Sequence, residues 1–325
     1  MFGKNKSNQP LPGSNQGIVT SNQVLERLAE DYMKDRKWKR YIKLGFLALF
    51  LLYIISVVMV ATKSGGSVGA SKPHTAVVKL DGVIGGGKGG VYAAQVNRSL
   101  QKAFESTQST AVLLHLNSPG GSPVQSAEIN EEILRLRSLY PNKPFYAVMS
   151  DVCASGCYYV AVAAEDIYAN KSSIVGSIGV RMDSFGFVGA LEKLGVERRS
   201  ITAGKNKAIL DPFLPTVPSQ QAHARNMLAV VHQQFIDTVQ QGRGERLSED
   251  PDIFSGLFWS GETAKRLGLI DDFGSVDYVA REIVKEDNVV DYSYRPGLLE
   301  EFTNNLGVSI SNSVTSALSG QLKLQ

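Results

Sequence analysis

Histidine, cysteine and tryptophan are scarce in this 325-residue chain: four, two and two. The cysteines, Cys153 and Cys157, have no further ligands at zinc-site spacing, and C-x-x-x-C is not the C-x-x-C of redox motifs. Basic and acidic residues nearly balance, 34 against 31, for a net charge of +3. That is too little to argue for nucleic acid as a partner, and no basic run interleaves with aromatics. No tandem repeat recurs at a fixed period. The histidines offer no base for a serine. His74 reads as part of a linker, and His115 lies in an apolar strand where a satisfied core imidazole is expected. His223 and His232 fall on a polar helix and read as solvated. A Ser-His-Asp triad is therefore not favoured, and neither a metal nor a cofactor is expected.

Apolar residue types make up 43% of the chain and charged ones 20%, so a sizeable core can form. Leu44–Ala61, LGFLALFLLYIISVVMVA, carries no charge and is about long enough to cross a ~30 Å hydrocarbon layer as a helix. Lys34, Arg36, Lys37, Lys39, Arg40 and Lys43 precede it, and only Lys63 and Lys72 follow closely. The positive-inside rule then puts the N-terminus in the cytoplasm and everything beyond residue 63 outside. The expected organisation is a cytoplasmic segment over 1–40, an anchor over 41–63, a linker over 64–73, a large domain over 74–295 and a tail over 296–325. Residues 1–20 are polar and rich in Gly, Pro and Asn, which reads as disorder.

Within the large domain, strands and helices alternate. TAVVKL (75–80), TAVLLHL (110–116), FYAVMS (145–150) and DIYAN (166–170) read as strands. Residues 92–105, 124–139, 158–164 and 190–194 read as helices. SSIVGSIGVR (172–181) is β-rich, and Ser219 is a candidate N-cap for a helix stopped by Gly242. FWSGETAKRLGLIDDFGS (258–275) reads as strand, helix closed by Gly268, and strand. Near-continuous apolar strands between helices argue for a mostly parallel sheet covered by helices.

The chemistry concentrates in two loops. GGGKGG (85–90) lacks Walker spacing. NSPGGS (117–122) joins a strand to a helix and supports three readings: a plain tight turn, a weak phosphate site, or an oxyanion hole. Gly120 and Gly121 lack Cβ, so amides there can approach a developing alkoxide, where losing one donor costs about 2.7–4 kcal/mol in the transition state. CASGCYY (153–159) places Ser155 between small residues at a helix start. With no histidine to serve it, lysine is the other base open to a serine. A lysine acts so only when neutral, which takes its pKa from about 10.4 to about 7 and destabilises its charge by roughly 4–5 kcal/mol. AGKNKAIL (203–210) offers Lys205 and Lys207, and only Lys207 runs directly into an apolar stretch.

HLNSPGGSP, ASGCYYVA, VGSIGV and AGKNK, in that order, resemble the signal peptide peptidase A family of membrane-anchored bacterial serine peptidases. The likeness covers about residues 75–285 and includes WSGETAKRLGLID. It implies an α/β ClpP/crotonase-like fold behind a single N-terminal transmembrane helix, and a dome-like homo-oligomeric ring. It further implies Ser155 as nucleophile and Lys207 as base, matching the G-x-x-K spacing from Gly204. Ser177 would orient the lysine, and Gly120, Gly121 and Gly156 would belong to the oxyanion hole. The expected activity is endopeptidase cleavage of released signal peptides and other unfolded apolar segments. It would act at the outer face of the bacterial inner membrane, in contact with its lipid. Other readings are a SohB-like peptidase with other membrane-protein substrates, a crotonase-type acyl-CoA enzyme and a non-catalytic scaffold of the same fold.

One position departs from the family pattern, which commonly has glycine where this chain has Cys157. A cysteine there implies ordinary helical φ at 157 and less room around Ser155. Were both cysteines helical, their Cβ atoms would stand about 5–6 Å apart, beyond disulfide reach. Two buried thiols are therefore expected, over a disulfide.

Overall fold

The computed structural model describes residue 33 and residues 38–56, 72–87 and 89–295. Two compact units divide between Gly66 and Ser67. In the first, residues 38–56 are helical and exposed throughout. Among the described residues no helix is long and apolar enough to cross a membrane. Residues 57–63 of the expected anchor lie outside the described set, as do the segment 1–20, most of the linker and the tail 296–325.

The second unit is built on an eight-stranded sheet. In chain order its strands are β1 (His74–Asp81), β2 (Ser109–Ser118), β3 (Phe145–Ala154), β4 (Asp166–Ala169), β5 (Ile174–Gly176), β6 (Phe258–Ser260), β7 (Asp272–Phe273) and β8 (Val289–Asp291). The main path runs β6-β5-β3-β2-β1-β8, and β4 and β7 branch from β3. Every pair is parallel except β5 with β6. The expected β-rich stretch 172–181 shortens to β5, since after Gly176 the chain turns at Ser177, where φ is 52°.

The central strands are apolar on both faces, as burial of a parallel sheet requires. Val78, Leu80, Val112, Leu114, Leu116, Ala147 and Met149 point into the main core. There they meet α1 (Ala93–Glu105), α2 (Pro123–Leu139) and α3 (Gly156–Ala161). In α1 the buried residues Ala93, Val96, Leu100, Ala103 and Phe104 recur at helical spacing and form one stripe. Each fully buried Leu or Phe contributes roughly 1.5–3 kcal/mol of transfer free energy. The opposite face is covered less. Val77, Leu113, Val148 and Tyr168 form a smaller cluster with Tyr146 and with Val279, Ala280 and their neighbours in the helical stretch 276–284.

After α4 (Val188–Leu194), the long α5 (Pro218–Arg243) packs on α3, with Phe235 against Tyr159, and α6 (Gly261–Arg266) follows β6. The α5 boundaries correct the sequence reading. Val217 holds the cap position, Pro218 takes the first turn, where its missing N–H costs nothing, and Gly244 ends the helix. Gly242 instead lets the helix lie against Val162, whose carbonyl oxygen a Cβ at 242 would strike. The C-terminus of α5 is locked by Arg243, whose side chain is 1% exposed. It donates to both carboxylate oxygens of Asp271, at 2.7 and 2.9 Å, and to Gly268 O at 2.8 Å.

Candidate active site

Strand β3 holds the key irregularity. Its first half pairs with β4 through Tyr146–Val148, and its end pairs with β5 through Val152–Ala154. On the β2 side Leu116 faces Met149, yet Ser118 faces Cys153, so β3 carries two extra residues between these pairs. Such a bulge bends the strand and re-aims its end. Three residues separate Met149 from Cys153, and the chain then turns at Ser155 into α3.

Ser155 has φ 54° and ψ −124°, a backbone conformation serine seldom adopts. A sharp strand-to-helix turn of this kind lifts a nucleophilic hydroxyl clear of the backbone. The strain, of order 1–3 kcal/mol, persists only where the surroundings hold it. Two hydrogen bonds do so: Ser155 N–H donates to Gly176 O at 2.8 Å, and Tyr159 N–H donates to Ser155 O at 3.0 Å. Ser155 occupies the N-cap position of α3, but its side chain caps nothing.

The NSPGGS turn lies against the turn at Ser155. A Cβ on Gly120 would come within 2.8 Å of Ala154 O and Gly156 N and 2.9 Å of the Ser155 Cβ. A Cβ on Gly156 would meet Ser126 Oγ and stand 3.2 Å from Gly121 N. Gly120 has φ 99° and Gly121 φ 153°, and a side chain on Gly121 would run into Ile84 O. Both positions thus need glycine for conformation and for clearance. Gly120 N–H donates to Ser118 Oγ at 3.1 Å. Gly121 N–H and Gly156 N–H have no acceptor among the described residues. Two unpaired amides on adjacent turns beside a free hydroxyl are suited to an oxyanion.

Ser177 is half-buried, has φ 52°, and donates its N–H to Leu257 O at 2.7 Å. Lys207 lies in the turn region 205–210 and is exposed. No hydrogen bond joins its side chain to Ser155 or Ser177 among the described residues. The structure therefore brings Ser155, Gly120, Gly121 and Gly156 together at one point, with Ser177 one residue beyond the Gly176 that holds Ser155. It leaves Lys207 on a separate exposed loop.

Sequence reasoning missed several supporting residues. Ser118 and Ser126 brace the glycine turn, and Gly176 O accepts from the Ser155 amide. Trp259 of β6 lies over Gly176, with its Cδ1 3.1 Å from where a Cβ at 176 would stand, and its buried Nε1 has no hydrogen-bond partner among the described residues. Only the placement of Ser126 one turn into the helix after NSPGG could have signalled any of these. The histidines also differ from expectation. His74 is the first residue of β1, fully buried, with Nε2 2.9 Å from the Tyr292 hydroxyl and Nδ1 3.0 Å from Lys72 O. His232 is not merely solvated, since its Nε2 lies 3.1 Å from Ile178 O. His115 is half-buried on the thinly covered sheet face, where it lines a cavity of about 490 Å³ with Asp151 and Ser275. Burial, aided by Lys79, pushes its imidazole pKa down.

The cysteines overturn the two-thiol expectation: Cys153 and Cys157 form a disulfide, with Cα atoms 5.1 Å apart. The helical spacing did not apply, because Cys153 is still in β3 and only Cys157 is in α3. The reversal at Ser155 folds the second cysteine back onto the first. Among the described residues no group of three or more His, Cys, Asp or Glu side chains is placed to hold a metal ion.

Comparison with known proteins adds a family. The sequence model of Peptidase family S49 matches residues 138–290. A putative protease of Methanocaldococcus jannaschii is 32% identical over 219 residues, covering 66% of this chain and 70% of that protein. A putative signal peptide peptidase SppA of Enterococcus faecium is 28% identical over 230 residues, 69% of this chain and 66% of that protein. The Na(+)/H(+) antiporter NhaA of Brucella melitensis is 48% identical over 177 residues. That match covers 54% of this chain and 24% of the antiporter, so the chain spans only about a quarter of that relative's length.

Proposed function

The chain belongs to peptidase family S49, and on that premise we propose that it is a serine endopeptidase working through Ser155 and Lys207. The observation that carries this reading is the strained turn at Ser155, set against the unpaired amides of Gly121 and Gly156. Ser155 Oγ attacks the scissile carbonyl carbon. Lys207, in its neutral form, takes the hydroxyl proton and returns it to the leaving amine, and Ser177 orients the lysine. The amides of Gly121 and Gly156 receive the oxyanion, while Gly120 gives the turn the clearance it needs. Water then cleaves the acyl-enzyme by the same route in reverse.

The substrates of this reading are cleaved signal peptides and other unfolded apolar segments, met at the outer face of the bacterial inner membrane. The apolar run Leu44–Ala61 with its basic flank supports a single-pass anchor with the N-terminus in the cytoplasm. The Cys153–Cys157 disulfide supports an oxidising, extracytoplasmic compartment for the large unit. The parallel sheet with a nucleophile at a strand-to-helix turn is in keeping with a ClpP/crotonase-like fold. Exposed apolar residues on the chain segment that carries Lys207, Phe185, Leu194 and Ile201 among them, support assembly into a homo-oligomeric ring. In such a ring the lysine could be desolvated, as a neutral amine requires.

A fluorophosphonate probe tests the reading. The assembled protein is expected to be labelled on Ser155, with labelling and peptide hydrolysis both lost in Ser155→Ala. Assembled protein that takes no label would overturn it and leave a non-catalytic member of the fold.

A further inference from the structure

The disulfide takes no part in the proposed chemistry, and its position is specific. Cys153 is the residue at which three strands meet. It faces Ser118 of β2 on one side and Val175 of β5 on the other. Ser118 Oγ accepts the Gly120 amide, and Gly176, next to Val175, accepts the Ser155 amide. The glycine turn and the nucleophile turn are thus both referenced to Cys153. Cys157 sits in the first turn of α3, one residue beyond the unpaired Gly156 amide and two before Tyr159, whose amide donates to Ser155 O. Both cysteines are fully buried.

What the first turn of α3 lacks is a cap. Helix starts are ordinarily tied down by a side-chain oxygen at the cap position. Here that position belongs to Ser155, which makes no capping hydrogen bond. A nucleophile cannot cap its own helix and remain free to attack. Its φ of 54° also gives the chain a reason to relax away from this turn.

We propose that the Cys153–Cys157 disulfide is a positioning device for the nucleophile. It substitutes for the missing cap, tying the first turn of α3 to the rigid end of β3 and holding Ser155 Oγ in register with the Gly121 and Gly156 amides. The role is in positioning, since the two sulfurs are bonded to each other and enter no step of the proposed chemistry. It rests on Ser155 being the nucleophile.

Ser155 and both cysteines lie between Lys143 and Lys171 with no Lys or Arg among them, so trypsin leaves all three on one peptide. Full-length protein is partly reduced with a phosphine, exposed briefly to a fluorophosphonate, then denatured and alkylated with N-ethylmaleimide. The maleimide marks peptides that were reduced and the phosphonyl group marks those that reacted, so a single digest gives both rates. A displacement of about 1 Å at a reacting group costs on the order of a hundredfold, and a rate lower by about that factor is expected for the reduced form. Equal rates in the two forms would overturn the proposal while leaving the peptidase reading intact. No label on either form would overturn both.

The double variant Cys153→Ala/Cys157→Ala gives an independent reading where the buried bond resists the phosphine. At a temperature where circular dichroism shows it folded, kcat is expected to fall by a similar factor with KM unchanged. Loss of thermal stability with kcat unchanged would identify the bond as merely structural.

Discussion

The turn at Ser155 is enclosed by main chain: β2, β5 and the Gly120–Gly121 turn all reach it, and a disulfide spans it. Residues 181–217, which carry Lys207, contain no buried residue at all. That arm is held by Phe187 stacked on Phe213, with centroids 5.4 Å apart, and by surface pairs such as Arg198–Asp211 at 3.1 Å. Exposed pairs of this kind contribute about 0–1 kcal/mol each. The contrast teaches that the two halves of the proposed dyad depend on different things. The serine half is complete within one chain and owes its geometry to the core. The lysine half has side chain and sequence but no desolvating surroundings, so its chemistry depends on what packs around the arm.

That contrast can be broken by mutation. The largest effect is expected on activity from the arm. Lys207→Ala should lower kcat by about 10²–10⁴-fold, the usual contribution of a positioned base, while the thermal midpoint stays put because the residue is exposed. Full activity in Lys207→Ala would refute its role.

The core side should show the reverse, a stability effect. Arg243→Leu leaves Asp271 without its bidentate partner and should cost about 3–5 kcal/mol in urea unfolding. The same pair predicts an acid dependence. Burial pushes the Asp271 carboxyl pKa up, but hydrogen bonding and charge from Arg243 outweigh it and hold the pKa below 3.8. Its contribution is therefore present above that pH and lost as pH falls below it through the folded value. Wild-type stability should decline more steeply there than that of Asp271→Asn, and parallel curves would show that the pair carries no pH dependence.

A smaller change, in stability, separates strain from function within the serine half. Ser155→Gly should abolish hydrolysis yet raise stability by about 1 kcal/mol, because glycine accepts φ 54° without strain. An unchanged or lowered midpoint would mean the turn is not strained. The smallest effect is again in the arm. Ile201→Ser, at a fully exposed position, should shift the stability of the isolated chain by no more than about 0.5 kcal/mol. It should nonetheless weaken assembly by light scattering if the arm is covered by another copy.

Sequence alone determined the alternation of strands and helices, because the periodicity of burial is local. The strands at 75–80, 110–116, 145–150 and 166–170 and the helices at 92–105 and 124–139 could be read from it, to within a residue or a few at their ends. The same holds for the two glycine positions of NSPGGS, since only glycine tolerates their conformation. Tertiary structure decided the rest. The bulge in β3 depends on pairing with β2 on one side and with β4 and then β5 on the other, which no local pattern within β3 records. The disulfide depends on that bulge and on the turn at Ser155, neither of which a helical spacing anticipates. The consumption of the Gly120 amide by Ser118, and the use of Gly242 for contact with Val162 in place of a helix stop, are likewise set by which surfaces meet. Residue type limits what a position can do, while the acceptor an amide finds is settled by chain brought from elsewhere in the fold.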